Sequence, residues 1–423
     1  MQNITKKIHW LLLTLPLLSG CGTLSQMSSP EGTQELLTHD SLDGDVDSVV
    51  RHYMAQKSVP GMTVAVIHNH GSPQFYTWGV TDAVNRYPIR TDTLFALGSL
   101  SKGITAEVVA CLVNEGQLNW SDSLATLLPP GTPLSADAQK ITLLELVTHT
   151  SGLPRQNMDV PMLGKFISYL STGDNFYGEL DSDNVLIYLA DWRAPKNKVP
   201  QYSNTGYALI GYILKHKTGE DIQSLASRYI FHPLQMANSS FTPRQLKGYP
   251  QRALGHAGDQ PKFIPRGQIT PDWHFSNNMV AAASLYSNAE DLATYARYHV
   301  STTHNPLLDS VFAEVRNTDI QRPDGVQGIA WTTDFIGLEK ITYQVGYIGG
   351  YSSFIGYDKE RGNAVVVLQN TFNWSNYIGI ALLMDMAKKD GLTPGSPTSA
   401  SNSRQTSAVS VQAQPHAAAR PGA

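Results

Sequence analysis

Strand-like patterns lie near the two ends of this 423-residue chain, and helical patterns fill the middle. At 61–80, the stretch GMTVAVIHNHGSPQFYTWGV has two β-rich runs around the turn HNHGS, which predicts a hairpin. At 341–358 and 363–370, ITYQVGYIGGYSSFIGYD and NAVVVLQN predict further strands. The predicted helices lie at about 99–115, 142–149, 184–192, 205–217, 289–300 and 375–388. This order predicts an α+β fold in which one sheet joins the first and last thirds of the chain.

The charge balance does not favour nucleic acid as a partner. The chain has 31 Lys and Arg residues against 35 Asp and Glu residues, for a formal net charge of -4. This balance gives no basic surface of the kind that binds nucleic acid. A small neutral or acidic substrate is at least as compatible with the composition as a polymer.

The first residues have the pattern of an export signal. Two lysines precede an apolar run over 10–18, which is too short to span a bilayer stably. The run ends in LSGC at 18–21, which resembles the lipobox of bacterial lipoproteins and implies cleavage before Cys21 and lipid on its thiol. An ordinary signal with a chance cysteine is the alternative. In a Gram-negative host, Gly22 favours the outer membrane, so we expect a lipid-anchored protein of the cell envelope that faces the periplasm.

Composition divides the chain into four parts. We expect a lipoprotein signal peptide at 1–20, a flexible tether at 21–44, a globular domain at 45–389 and a disordered tail at 390–423, where large apolar residues are almost absent. The second cysteine is Cys111, so a lipid on Cys21 leaves no intramolecular disulfide. Cys111 lies on the apolar side of a helical pattern and is expected to be an inert core residue.

A nucleophile and a base stand close together in FALGSLSKGITAEVVACLVNEGQL at 95–118. The apolar positions predict a helix that begins at Ser99, and residues three apart share a helix face, so Lys102 lies beside that serine. Lysine can take the proton of a serine hydroxyl if burial or nearby positive charge lowers its pKa. Ser-x-x-Lys alone is a weak signal, because a helix-capping serine followed by an exposed lysine gives the same pattern.

A second candidate pair lies in PQYSNTGYALIGYIL at 200–214, where Tyr202 and Asn204 precede an amphipathic helix. A tyrosine near a lysine ammonium can donate or accept a proton, because the positive charge stabilises the phenolate. The asparagine can fix the lysine and hydrogen-bond a substrate amide. In isolation, a packing tyrosine and a helix cap explain the segment equally well.

Together these motifs resemble a known family. Ser99-Leu-Ser-Lys102 within LFALGSLSKGITA, HTSGLP at 149–154, Tyr202-Ser-Asn204 and GYSSFIGYD at 350–358 have the order and spacing of class C β-lactamase-like, penicillin-binding-protein-like serine hydrolases. Relatives in that family include family VIII-type esterases and D,D-peptidases. The resemblance covers about 45–388 and implies an antiparallel sheet flanked by helices, an all-helical lobe and an active site in the cleft between them.

The third motif of the family is Lys-Thr-Gly or His-x-Gly on a strand near the C-terminus. Lys217-Thr218-Gly219 follows Asn204 by 13 residues at the end of a predicted helix, so it is expected to be a helix terminus and not a catalytic motif. Counting back from GYSSFIGYD places the third motif at Gln344-Val345-Gly346. A neutral amide at Gln344 then replaces the cation that meets a substrate carboxylate. Loss of that bond costs roughly 1.5–3 kcal/mol, which disfavours carboxylate-bearing substrates.

The resemblance also implies roles for residues around these motifs. The oxyanion hole would use the backbone N–H groups of Ser99 and Tyr347, and Gly346 would let its strand approach the acyl carbonyl. Gln156 matches a position that touches the substrate's acyl-amide group, or it is an ordinary loop glutamine. His149 is expected to support its turn and not to act as a base.

Four aromatic residues are candidates for lining the acyl pocket: Phe176, Tyr177, Trp273 and Tyr347. No metal or organic cofactor is expected: the histidines of HNHGS fit a turn, and His-Glu-x-x-His is absent from the sequence.

The sequence therefore predicts a cell-envelope serine hydrolase that cleaves an ester or amide, of the esterase or D-amino-acid peptidase type, through an acyl-enzyme on Ser99. One alternative is a class C-type β-lactamase or a D,D-carboxypeptidase or endopeptidase acting on peptidoglycan, with the missing cation supplied by Arg155, Lys340 or Lys359. Another is a non-catalytic envelope binding protein.

Overall fold

The computed structural model describes residues 46–156, 160–177, 182–196, 198–275, 278–322, 325–374 and 378–392. The predicted signal peptide, the tether with Cys21, and the tail beyond 392 lie outside the described residues. The α-helices in these ranges are α1 (Val46–Lys57), α2 (Ser101–Asn114), α3 (Leu124–Leu127), α4 (Leu143–Val147), α5 (Val160–Thr172), α6 (Ser182–Asp191), α7 (Asn204–Thr218), α8 (Ile222–Ala226), α9 (Val280–Ala283), α10 (Ala289–Val300), α11 (Pro306–Asn317) and α12 (Ile378–Leu392). The strands are β1 (Gly61–Ile67), β2 (Gln74–Gly79), β3 (Phe95–Ala96), β4 (Tyr286–Ser287), β5 (Ile320–Arg322), β6 (Gly325–Gln327), β7 (Thr332–Ile336), β8 (Glu339–Ile348), β9 (Tyr351–Asp358) and β10 (Asn363–Gln369).

One antiparallel sheet organises the described part of the chain. Its strand order is β2-β1-β10-β9-β8-β7-β6-β5, and β3 pairs with β4 in a separate short sheet. Strand β1 pairs with β10, with Val64 opposite Val367, so the sheet joins the first and last thirds of the chain. The predicted α+β fold with a shared antiparallel sheet is therefore confirmed.

The central strands are apolar on both faces because a helical layer covers each face. Successive strand side chains point to opposite faces. On one face, Val64 and Val367 pack with α1 and α12. On the other, Ala65 and Val366 join a larger core that continues through α10 into the helices between β2 and β5. These intervening helices form the second lobe, and the turn that precedes α2 contacts β8 and β9 of the sheet.

The first hairpin has the predicted form, with Met62 of β1 opposite Trp78 of β2. The His68 imidazole beyond β1 has its Nε2 2.5 Å from the Asp390 carboxylate, and Asn363 donates to the same carboxylate at 2.9 Å. These contacts fix the last turn of α12, which continues to Leu392 although the tail was expected from 390. Among the described residues, no group of three or more His, Cys, Asp or Glu side chains could hold a metal ion.

Several elements were not predicted from the sequence. Helix α5 exposes Val160 and Ile167 as well as burying Met162, so its apolar residues do not form a single stripe with helical spacing. Strands β5 to β7 are short and lie at the edge of the sheet, where alternation is hard to detect. The start of α11 did carry a signal, because Asn305 caps it and Pro306 occupies its first turn. None of the described helices is both long and apolar enough to cross a membrane.

We predict that Phe354→Ala lowers the free energy of unfolding by about 3–5 kcal/mol, because the side chain is 0% exposed under α12 and its loss leaves a cavity. Phe335→Ala, on β7, is the matched control: that ring is 61% exposed and its loss should change the free energy by less than about 0.5 kcal/mol. Urea denaturation followed by circular dichroism measures both. Equal losses for the two variants would contradict the assignment of the core.

Candidate active site

Close backbone packing between strand β8 and the turn before α2 positions Ser99. Ser99 lies in a 3₁₀ turn, Gly98–Leu100, that leads directly into α2. Gly98 has φ +54°, and a Cβ there would lie 2.8 Å from the carbonyl oxygen of Tyr347. A Cβ on Gly346 would overlap the carbonyl oxygen of Leu97. The segments that carry the expected oxyanion donors, Ser99 and Tyr347, are therefore in direct contact, and glycine at both positions permits it.

Ser99, Lys102 and Tyr202 come together as the sequence predicts. Lys102 Nζ lies 3.1 Å from Ser99 Oγ, and the Tyr202 hydroxyl donates to the same oxygen at 2.5 Å. The Lys102 ammonium is also 4.9 Å from the centroid of the Tyr202 ring. Two groups that can exchange protons thus contact one serine oxygen, which is the arrangement that nucleophilic catalysis requires.

Burial makes Lys102 a base. Its side chain is 2% exposed, and Nζ donates to the carbonyl oxygen of Ala282 in α9 at 2.9 Å. Burial, and then the positive charge of Arg155, hold the Lys102 pKa well below its usual value. Burial raises the pKa of Tyr202 to about 12, against the opposing effects of Arg155 and of the hydrogen bond to Ser99. At neutral pH the amine of Lys102 is therefore the better proton acceptor and the phenol of Tyr202 the better donor.

His149 supports the turn at Tyr202, whereas the sequence predicts that it supports its own turn. Its Nδ1 accepts the backbone N–H of Ser203 at 3.1 Å, and its ring stacks on that of Tyr202 with centroids 4.6 Å apart. Burial, followed by the charges of Lys102 and Arg155, depresses the pKa of His149 well below its usual value. A neutral imidazole that accepts a backbone bond holds the Tyr202 turn in place and is not available as a base.

Asn204 does not orient the lysine, which corrects one expectation. Its side-chain amide donates to the Tyr177 hydroxyl at 3.1 Å, and that hydroxyl donates to Gln156 Oε1 at 3.2 Å. The position of Lys102 is instead fixed by the carbonyl of Ala282. No sequence pattern indicates this partner, because a backbone carbonyl is available at every residue. Gln156 does belong to the site, joined to Asn204 through Tyr177.

The predicted pocket aromatics separate into two groups. Phe176 and Tyr177 have ring centroids 4.2 Å apart, and Trp273 lies 5.3 Å from Phe176, so these three pack together beside the site. Tyr347 does not join them. Its ring packs on Trp374 at 5.1 Å and its hydroxyl donates to the carbonyl of that residue at 2.6 Å, so its side chain is held elsewhere.

Gln344 lies against the catalytic helix. The side chain is 7% exposed, and a Cβ on Gly103, the residue after Lys102, would overlap its amide group. The Nε2 group finds no hydrogen-bond partner among the described residues. A neutral, buried donor thus occupies the position where the family motif would place a cation.

The candidate replacement cations have different surroundings. The guanidinium carbon of Arg155 lies 4.8 Å from the centroid of the Tyr202 ring, inside the site. Lys340 pairs with Phe335 at the start of β8, and the ammonium of Lys359 donates to the carbonyl oxygen of Val300 at 2.6 Å. Of the three, Arg155 is the cation in contact with the catalytic group.

The triplet 217–219 is a helix terminus, as the sequence predicts. Gly219 caps α7 with φ 76°, in the left-handed conformation that glycine adopts readily. The Lys217 ammonium donates to the carbonyl oxygen of Thr126 at 2.9 Å, whereas the hydrogen bonds of Ser99 go to Lys102 and Tyr202. Cys111 is fully buried in α2, and burial raises the pKa of its thiol, which fits the expected inert core position.

Comparisons with known proteins indicate the family and the fold. The sequence model of the Beta-lactamase family matches residues 46–383. The chain is 25% identical over 368 residues to "Unguisins hydrolase ungD'" from Aspergillus campestris (strain IBT 28561), a match covering 83% of this chain but 66% of that protein. It is 24% identical over 364 residues to a β-lactamase from Pseudomonas fluorescens, a match that covers 77% of this chain and 92% of that protein. The structure of a class C β-lactamase from Rhodobacter sphaeroides shares the fold, with a TM-score of 0.67 and 22% identity over 81% of this chain and 98% of that one.

We predict that Lys102→Gln lowers kcat/KM by roughly a hundredfold to ten-thousandfold, because it removes the proton acceptor of Ser99. Lys217→Gln makes the same chemical change at the end of α7 and should leave kcat/KM unchanged. Hydrolysis of p-nitrophenyl butyrate measures both variants, and thermal unfolding checks that each is folded. A large loss of activity in Lys217→Gln would contradict its assignment as a helix terminus.

Proposed function

This chain belongs to the β-lactamase family of serine hydrolases, and from that premise we propose that it hydrolyses a neutral ester or amide, of the esterase or D-amino-acid peptidase type, at the cell envelope. The observation that carries the proposal is the contact of Lys102 and Tyr202 with one oxygen of Ser99. The same geometry argues against a non-catalytic binding protein, because binding alone requires neither a depressed lysine pKa nor a shared serine oxygen.

The residues supply each step of acyl transfer. In acylation, Ser99 Oγ bonds to the carbonyl carbon while its proton passes to the neutral amine of Lys102, and the N–H groups of Ser99 and Tyr347 hold the oxyanion. When the carbonyl re-forms, the bond to the leaving alcohol or amine breaks. That group takes a proton from Tyr202, which Lys102 then reprotonates. In deacylation, water attacks the acyl carbonyl carbon and gives a proton to Lys102. Lys102 passes that proton to Ser99 Oγ as the bond to the acyl group breaks and the acid departs.

Gln344 supports a preference for neutral substrates. A substrate carboxylate would meet an amide instead of a cation there, at a cost of roughly 1.5–3 kcal/mol in binding. The Nε2 group of Gln344 is itself buried without a hydrogen-bond partner among the described residues, so this position supplies no charge that could hold a carboxylate. Esters and uncharged amides therefore fit this position better than β-lactams or peptides that end in a carboxylate.

A second candidate is β-lactamase or D,D-carboxypeptidase activity, with peptidoglycan as the natural source of substrate. Two observations favour it: the names of the relatives, which include β-lactamases, and the presence of Arg155 beside Tyr202. In this alternative Arg155 meets the substrate carboxylate itself.

The test is the ratio of kcat/KM for p-nitrophenyl butyrate to that for nitrocefin, with the full chain in mild detergent and Ser99→Ala as the blank. We expect a ratio well above one, because nitrocefin carries a carboxylate. Gln344→Lys should raise kcat/KM for nitrocefin by about tenfold to a hundredfold. A ratio below one, together with no gain in Gln344→Lys, would favour the second candidate.

We also propose lipid attachment at Cys21 and retention at the outer membrane, on the basis of the LSGC sequence at 18–21. Cells grown with radiolabelled palmitate should incorporate label into the wild-type protein and not into Cys21→Ser. Cys111→Ala, which removes the other thiol, should keep the label. Labelling of Cys21→Ser would refute lipid attachment at this cysteine.

A further inference from the structure

We propose that Arg155 is a positioning residue that acts through Tyr202 and Lys102: its guanidinium, over the Tyr202 ring, keeps the group that receives the Ser99 proton deprotonated at neutral pH. The inference rests on the proposed function, because it concerns the same serine chemistry. It assigns a role to a residue outside the three sequence motifs, and it accounts for the neutral side chain at Gln344.

The loop that carries Arg155 is tied to the catalytic turn. The backbone carbonyl of Arg155 accepts the N–H groups of Asn204 at 2.9 Å and Thr205 at 3.3 Å. These bonds join the loop to the first turn of α7, directly after Tyr202. The guanidinium carbon lies 4.8 Å from the centroid of the Tyr202 ring, within the range of a cation–π contact. The backbone bonds therefore fix the charge relative to the phenol.

Several titratable groups surround Tyr202. Helix α2 contributes Lys102, the loop after α4 contributes His149 and Arg155, α7 contributes Tyr207, and the segment after α5 contributes Tyr177. Burial depresses the pKa of His149, so this ring is neutral at pH 7. Arg155 is consequently the permanent positive charge in the group, because a guanidinium stays protonated in proteins.

The charge of Arg155 acts in the same direction on both groups that contact Ser99, which are Lys102 and Tyr202. It lowers the pKa of Lys102, where burial is the larger cause, and it opposes the rise in the pKa of Tyr202 that burial produces. A lower pKa keeps the Lys102 amine neutral as the proton acceptor and makes the Tyr202 phenol a better proton donor. With an amide at Gln344, this position of β8 adds no charge, and the loop that carries Arg155 supplies the charge instead.

The experiment measures kcat/KM for p-nitrophenyl butyrate from pH 5 to pH 10, with the full chain in mild detergent. A base must be unprotonated to act, and removing a nearby cation raises its pKa. Arg155→Gln should therefore move the acid limb of the profile upward by about one pH unit or more. At a fixed pH on the acid limb, this shift corresponds to about a tenfold loss of kcat/KM. Arg155→Lys keeps the charge and should keep the wild-type limb.

Lys198→Gln is the matched control. Lys198 pairs with the Glu145 carboxylate at 2.6 Å, so its removal takes away one positive charge without changing the contacts of Tyr202. Its pH profile should match the wild type. Arg155→Met, which keeps an unbranched apolar stem, replaces Arg155→Gln if the latter does not fold. The backbone bonds to Asn204 and Thr205 remain in every variant, so a purely structural role would not move the limb.

A second measurement separates this inference from the choice of substrate. The rate at which a fluorophosphonate labels Ser99 reports the reactivity of the nucleophile without any natural substrate. If the ester is not hydrolysed but the acid limb of labelling still moves upward in Arg155→Gln, the inference stands and the proposed substrate class fails. If wild-type Ser99 is labelled but the acid limb does not move in Arg155→Gln or Arg155→Met, the inference about Arg155 is overturned and the proposed function is not. Failure of wild-type Ser99 to label at any pH overturns both.

Discussion

The burial of Lys102 is the constraint on which the site depends. An ammonium removed from water is costly unless charged or polar partners replace its hydration. Here the hydrogen-bond partners are a serine oxygen and the carbonyl of Ala282, and neither is an anion. The neutral amine is favoured as a result, and a neutral amine is what Ser99 needs. A carboxylate at the position of the Ala282 carbonyl would hold the lysine charged and inactive as a base.

Burial of this lysine in turn requires two lobes in close contact. Helix α2 carries Lys102 and packs on α9, while β8 of the sheet packs on the turn before Ser99. Glycines allow these contacts: Gly346 meets the carbonyl of Leu97, and Gly103 meets the side chain of Gln344. A β-carbon at Gly346 would separate the sheet from the nucleophile, whereas one at Gly103 would have to displace the end of the Gln344 side chain. The fold therefore contributes to catalysis by bringing backbone close to backbone, and side chains alone would not achieve this.

Sequence reasoning was most successful where function depends on local spacing. Ser99 and Lys102 share one helix face and Gly219 ends another helix, and both conclusions follow from a few neighbouring residues. It failed where partners are distant in the chain. The bridge through Tyr177, which takes Asn204 away from the lysine, depends on a loop whose path no local pattern specifies. Tyr347 is a candidate for lining the pocket because it is aromatic, yet the contact of its ring with Trp374 determines where that ring lies.

Separating two functions of one cation explains how Gln344 is compatible with a working site. A charge on β8 could both lower the pKa of a base and attract a substrate carboxylate, and substitution by an amide removes both effects. Arg155 lies on the face of the Tyr202 ring, so it restores the first effect from a different direction. Arg155 need not also restore the attraction of a substrate carboxylate, because the side chain at position 344 is still the neutral amide of Gln344. The buried Nε2 group of Gln344 has no hydrogen-bond partner among the described residues, which is unfavourable by about 1–3 kcal/mol. The substitution therefore weakens recognition of acids, whereas esters and neutral amides do not need the missing charge.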